Sequence, residues 1–127
     1  MSDNNQTLLI EKAVLYYASI GKMRTDNNQY PYFMRGYDVE QIIDSLVDRD
    51  LLLLGTAEES IRIFPYKELQ KYLSDRGIKP GNKKSVVIER VLDNFDADKV
   101  ASDFGYLCYI PTSKGMSLIK GYNINDF

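Results

Sequence analysis

Apolar residues recur along this chain at two spacings, and the switches between them mark its elements. Leu9, Ala13, Tyr16, Tyr17 and Ile20 fall at helical intervals and predict a first helix over residues 8–20, with Thr7 as N-cap and Gly21 as stop. Residues 22–36 are polar and interrupted by Pro31, so they read as a loop pinned to the core by Tyr30, Tyr32 and Phe33. From Asp38 to Asp50 the residues Val39, Ile42, Ile43, Leu46 and Val47 make a stripe at i, i+3, i+4, i+7 and i+8, the pattern of an amphipathic helix. The run Leu51 to Leu54 then stops at Gly55, and Ile61, Ile63 and Phe64 alternate with Arg62. Those two runs predict the short strands of a hairpin or wing.

Pro65 suits the first position of a helix, where its missing N–H costs nothing. That helix carries Leu69 and Leu73 on one face and ends at Gly77, a residue that accepts the left-handed backbone of a C′ position. After the short loop Ile78 to Gly81, Asn82 is expected to cap a helix reaching Asn94, with Val87, Ile88, Val91, Leu92 and Phe95 at helical spacing. Residues 96–105 read as an acidic loop or single helical turn. Tyr106 to Ile110 reads as a strand and Thr112 to Ile119 as a last short helix.

The length of 127 residues fits one domain, and 44% hydrophobic with 27% charged residues excludes a disordered chain. The longest unbroken apolar run is Leu51 to Leu54, too short for the ~20 residues of a membrane span. Met1 to Thr7 is polar without a basic stretch, so no signal segment is expected. One cysteine, Cys108, allows no internal disulfide and points to a reducing cytoplasm. The chain has no histidine, which removes His-based triads, His metal sites and a histidine pH switch. No phosphate-binding Gly-rich loop or G-x-S-x-G turn occurs, so neither an enzyme nor a cofactor is expected. Asp93, Asp96, Asp98 and Asp103 lack the glycine turn and final glutamate of an EF-hand and read as solvated acids, not a metal site.

Charge is distributed unevenly. The net charge is −2, but residues 1–65 balance at −4, residues 66–95 at +3 and residues 96–127 at −1. A basic stretch between acidic flanks is the outline of a local phosphate-binding patch. Lys83 and Lys84 sit where the helix over 82–94 begins, with Lys79 just ahead and Arg76 at the end of the preceding helix. Cations there oppose the helix dipole unless an external anion joins them.

The stretch Tyr66 to Leu92, YKELQKYLSDRGIKPGNKKSVVIERVL, resembles the SAP motif, a helix–loop–helix named for scaffold-attachment proteins. Leu69, Leu73, Gly77 and Ile78 occupy its L-x-x-x-L-x-x-x-G-L positions, and Lys84, Val87, Ile88, Arg90 and Val91 follow as K-x-x-L-I-x-R-L. Asn82 stands where the motif usually has glycine, with Gly81 just ahead; asparagine tolerates a left-handed backbone, so the turn is expected to be kept. The resemblance implies double-stranded DNA as partner. The residues expected at that interface are Arg76, Lys79, Asn82, Lys83, Lys84 and Arg90. Lacking an aromatic stacking row or a base-reading helix, the segment predicts backbone-dominated binding with weak sequence specificity. Affinity should be weak for one such module, so a dimer or second site is expected to raise it.

The flanks resemble a winged-helix frame, closed by the Tyr-x-x-T-x-x-G pattern of Tyr109, Thr112 and Gly115. The layout as a whole is similar to SAP-containing proteins of Gram-positive bacteria and their phages, which implies a phage or mobile-element setting. The expected fold is therefore α+β, a single domain over residues 1–127. Within it, residues 8–64 and 96–127 form the winged-helix-like frame and residues 65–95 the inserted SAP-like helix pair. The helix before the wing exposes Glu40, Asp44, Asp48 and Asp50, which a DNA groove would repel, so that half is read as scaffold or partner surface. The alternative function is a protein-interaction module, an adaptor or inhibitor, using Tyr30, Tyr32, Phe33, Asp44 and Asp48.

Overall fold

The structure, a computed structural model, describes residues 2–26 and 34–122. The expected interaction residues Tyr30, Tyr32 and Phe33 lie outside that range. The described chain runs α1 (Ser2–Ser19), α2 (Val39–Asp48), β1 (Leu52–Leu54), α3 (Ala57–Ile61) and α4 (Tyr66–Asp75). It continues through α5 (Lys84–Asn94), α6 (Ala97–Phe104), β2 (Tyr109–Pro111) and α7 (Ser113–Leu118). This is an α+β chain, mostly helical with one two-stranded sheet. It divides into two compact units, Met1–Leu54 with Cys108–Phe127, and Gly55–Leu107. The second unit is wider than the expected helix pair at 65–95, because it also contains α3 and α6.

In the first unit, α1 begins upstream of Thr7, which lies inside the helix and does not cap it. Its buried face is Ile10, Ala13, Val14, Leu15 and Ala18, while Leu9 and Ile20 are exposed. The helix is apolar nearly all round from Leu8 to Ile20, so spacing alone did not select the face that packs. α2 follows its expected stripe in part, burying Val39, Ile43 and Leu46 with Ile42 half-buried, but Val47 is exposed; Asp38 caps the helix by accepting from the Gln41 N–H at 3.2 Å. Its C-terminus closes with Leu51 N–H donating to the Leu46 carbonyl at 2.9 Å and Asp50 N–H to Val47 at 3.0 Å. That reverse turn places Asp50 at φ 60°, a left-handed position that Asp tolerates better than most residues.

β1 does not pair with residues 61–64, so the expected hairpin is replaced. It runs antiparallel to β2, with Leu52 opposite Pro111, Leu53 opposite Ile110 and Leu54 opposite Tyr109. Arg24 bridges to Cys108, and Tyr109 N–H donates to the Met23 carbonyl at 2.8 Å, adding a short third backbone segment beside β2. Thr112 caps α7 by accepting from Gly115 N–H at 3.0 Å, and its hydroxyl donates to the Asp50 carbonyl at 2.7 Å.

The second unit corrects two expectations. The run Ile61 to Phe64 is not a strand: Ile61 ends α3 and residues 62–64 turn, with α3 begun by a capping box in which Thr56 Oγ1 accepts from Glu59 N–H at 3.1 Å and Glu59 Oε1 accepts from Thr56 N–H at 2.9 Å. Ile61 and Phe64, three residues apart, are both fully buried, while Arg62 points to solvent and pairs with Glu58 at 3.1 Å. Residues 97–104 form a full helix, started by Asp96 accepting from Lys99 N–H and ended by Gly105 at φ 88°. Only Val100 and Ala101 of α6 are buried, so its apolar signal is thin. Phe64 stacks on Phe104 with centroids 4.6 Å apart and meets Tyr106 at 4.8 Å, closing an aromatic floor under the unit.

α4 and α5 follow the expected spacing, with Leu69, Leu73, Val87 and Val91 fully enclosed and Ile88 buried. α4 ends as expected at Gly77, φ 78°, with Ile78 N–H donating to the Leu73 carbonyl at 3.0 Å. The N-terminus of α5 differs. Lys83, not Asn82, is the N-cap residue, and no side chain caps the helix. The left-handed residue of the connecting turn is Gly81, φ 86°, and Asn82 does not take that conformation.

Candidate nucleic-acid interface

The turn between α4 and α5 is held by its carbonyl oxygens. The Tyr66 hydroxyl donates to the Asn82 carbonyl at 2.6 Å, and Gln70 Nε2 donates to the Gly81 carbonyl at 3.0 Å. Gln70 Nε2 also reaches the Tyr66 hydroxyl at 2.8 Å, so the two side chains, one turn apart on α4, act as one grip. From the other side, Arg90 Nη1 donates to the Lys79 carbonyl at 2.6 Å. A Cβ on Gly81 would meet Val86 Cγ1 at 3.0 Å and Arg90 Nη1 at 3.2 Å, so α5 packs directly on the turn. Sequence reading passed over Tyr66 and Gln70. The signal was a polar pair at i, i+4 on α4, which resembles any solvated helix face.

With its carbonyls engaged by internal donors, the turn presents lysines outward. Lys79, Lys83 and Lys84 are exposed, and among the described residues their side chains make no hydrogen bond or ion pair. The first turn of α5 contains no acidic residue and has no side-chain cap, so its leading N–H groups carry the positive end of the helix dipole uncompensated. Asn82 is exposed beside them, its side chain likewise without a partner. The unit Gly55–Leu107 holds nine Lys/Arg and nine Asp/Glu, and Lys67 and Lys71 on α4 are likewise exposed without a side-chain hydrogen bond or ion pair.

The two arginines expected at the interface have internal partners. The Arg76 guanidinium lies over the Tyr72 ring, 3.5 Å from its centroid, donates to the Tyr72 carbonyl at 3.1 Å and faces Asp103 at 3.5 Å. Asp103 also accepts from the Tyr72 hydroxyl at 2.7 Å and faces Lys99 at 3.8 Å. The Tyr72 hydrogen bond, with the charges of Lys99 and Arg76, holds the Asp103 carboxyl below the usual carboxylate range. Burial, then the bond to Asp103, pushes the Tyr72 phenol up. Arg76 therefore spends part of its charge bracing the end of α4 against α6, and Arg90 spends a donor on the turn. Asp96 and Asp103, read from the sequence as solvated acids, are a helix cap and an ion-pair acceptor.

In the first unit, Glu40, Asp44 and Asp48 line the exposed side of α2. Arg49, the only base near them in sequence, is drawn to Glu11 at 2.7 Å, and this pair is what allows Glu11 to lie buried in α1. Burial pushes the Cys108 thiol up to about 11, so it is protonated at neutral pH. Among the described residues no group of three or more His, Cys, Asp or Glu could hold a metal ion, and no helix is long and apolar enough to cross a membrane. An open, largely apolar groove of about 450 Å³ lies between Tyr16 and Ser19 of α1 and Met116 and Tyr122 at the chain's other end. It offers no concentration of charge. No family model, curated protein or solved structure matches the chain.

Proposed function

We propose that this chain is a non-catalytic double-stranded DNA-binding protein that docks on the phosphate backbone through the edge formed by Lys79, Asn82, Lys83, Lys84 and the N-terminus of α5. The observation that carries this reading is the set of three exposed, unpaired lysines at an uncapped helix start. Unpaired cations opposing a helix dipole are mildly unfavourable by themselves and become favourable once a phosphate bridges them to the free N–H groups. The SAP-like spacing of Leu69, Leu73, Gly77, Val87, Ile88 and Val91 agrees with it. Arg76 and Arg90 support the edge and are not its principal phosphate ligands.

Three lysine contacts imply a slope of log K against log salt of about −2.7. The affinity should be roughly micromolar to 100 micromolar at physiological salt, in the non-specific range. Fluorescence anisotropy of a labelled 20-base-pair duplex over a salt series tests this, beside Lys83→Glu/Lys84→Glu. Steep salt dependence, with binding lost in a folded double variant, is expected. Salt-independent binding, or binding retained by the variant, would remove DNA docking from this edge.

A second reading, a protein-interaction module, is favoured by one observation: Glu40, Asp44 and Asp48 stay unneutralised because Arg49 is committed to Glu11. A partner captured through α2 would be lost on Asp44→Lys/Asp48→Lys and indifferent to Lys83→Glu.

A further inference from the structure

Tyr66, Gln70 and Arg90 converge on three successive stretches of one turn, and they do so by gripping only carbonyl oxygens: those of Asn82, Gly81 and Lys79. We infer that these three side chains are positioning residues for phosphate docking, holding the 79–82 turn so that Lys79, Lys83 and the α5 N–H groups meet one anion together. The inference rests on the DNA-docking reading above and assigns roles within that site. It gives Arg90 a function at the interface through the Lys79 carbonyl, in place of a direct phosphate contact.

The physical argument starts from the turn's composition. Residues 79–82 include a left-handed glycine, the residue with the most conformational freedom to lose, and two exposed residues without side-chain partners. Left to themselves, such residues would order only on binding, and the phosphate would bear that entropic cost. Three donors on α4 and α5 order the turn in advance, since both helices are anchored by fully buried residues: Leu69 and Leu73 on one, Val87 and Val91 on the other. Occupying the carbonyls has a second effect. The negative ends of the Lys79, Gly81 and Asn82 peptide groups are directed to internal hydrogen-bond donors, which reduces their repulsion of an approaching phosphate.

The mechanism separates positioning from contact in one measurable quantity. Removing a cation that touches phosphate reduces the number of counterions released and makes the salt slope shallower by about 0.9. Removing a neutral side chain that orders the turn weakens binding at every salt concentration and leaves the slope as it was. The test uses the full chain carrying Tyr66→Phe/Gln70→Met, which keeps the ring and stem packing but removes the donors. Arg90→Met and Lys83→Gln are measured alongside, with helical circular dichroism and thermal midpoint as fold controls.

Tyr66→Phe/Gln70→Met is expected to bind duplex roughly tenfold more weakly, the scale of ordering about one residue's backbone, with an unchanged slope. Amide hydrogen exchange should rise at Lys79 and at residues 81–85 and stay unchanged at Leu69 and Val91. Arg90→Met should behave the same way, and Lys83→Gln should lose slope. If the wild-type chain binds and the donor-free variant binds equally well, the positioning role is overturned while DNA docking stands. A slope made shallower by about 0.9 in Arg90→Met would make Arg90 a phosphate ligand and overturn its assignment. Absence of binding by the wild-type chain would overturn the docking reading, and this inference with it.

Discussion

Gly115 shows how a single residue type can be fixed by backbone contact. A Cβ there would run into the Leu51 carbonyl oxygen and come within 3.3 Å of Leu15 Cδ2. The same corner is tied by Thr112, whose hydroxyl donates to the Asp50 carbonyl and whose N–H donates to Leu51 at 3.1 Å. The spacing of Tyr109, Thr112 and Gly115 is thus the geometry of α7 entering against the α2–β1 corner. Gly115→Ala should destabilise the protein by about 2–3 kcal/mol, the cost of overpacking against an unyielding partner. Urea unfolding should show a lower midpoint at unchanged m; a midpoint equal to the parent's would contradict the close approach. What a residue touches was the least legible property at this scale. Lys83 and Lys84 could be singled out because helix starts disfavour cations. Arg76 and Arg90 were expected at the same interface, and Tyr72, Asp103 and the Lys79 carbonyl account for their guanidinium groups.

Among the elements, α2, α4 and α5 were legible from apolar residues at helical spacing, and α4 also from Gly77 as its stop, whereas the expected cap of α5, Asn82, is replaced by Lys83. α3 was not, for a definite reason. Ile61-Arg62-Ile63-Phe64 alternates like a strand, and a helix of five residues is too short to show a period of 3.6. The informative signal was Thr56-x-x-Glu59, whose reciprocal bonds are a large share of what such a short helix has. Thr56→Ala should therefore cost about 1 kcal/mol. It should also raise amide exchange at Glu59 and Ser60 well above that of α4, and unchanged protection would show that packing of Ile61 alone sustains α3. The sheet was illegible for another reason. β1 and β2 are separated by the whole of the second unit, and nothing local to Leu52–Leu54 specifies Tyr109–Pro111 as its partner.

At the scale of the molecule, charge and chain organisation coincide. The unit Met1–Leu54 with Cys108–Phe127 holds seven Lys/Arg against nine Asp/Glu, and its α2 surface is acidic. The unit Gly55–Leu107 is neutral in total; of its exposed lysines without a side-chain partner, Lys79, Lys83 and Lys84 flank one turn and Lys67 and Lys71 lie on α4. A neutral unit exerts little long-range pull on DNA, so its attraction operates at short range and should fade quickly with salt. The whole-chain charge of −2 concealed this arrangement, and only the residue-by-residue balance over 66–95 disclosed it. The measurement that tests the account most directly is an amide chemical-shift map of the full chain titrated with a 20-base-pair duplex at low salt. The account predicts that the largest perturbations fall on Lys79 and on residues 82–86, with Glu40 to Asp48 of α2 unmoved. Perturbations centred on α2, or none anywhere at millimolar duplex, would contradict it.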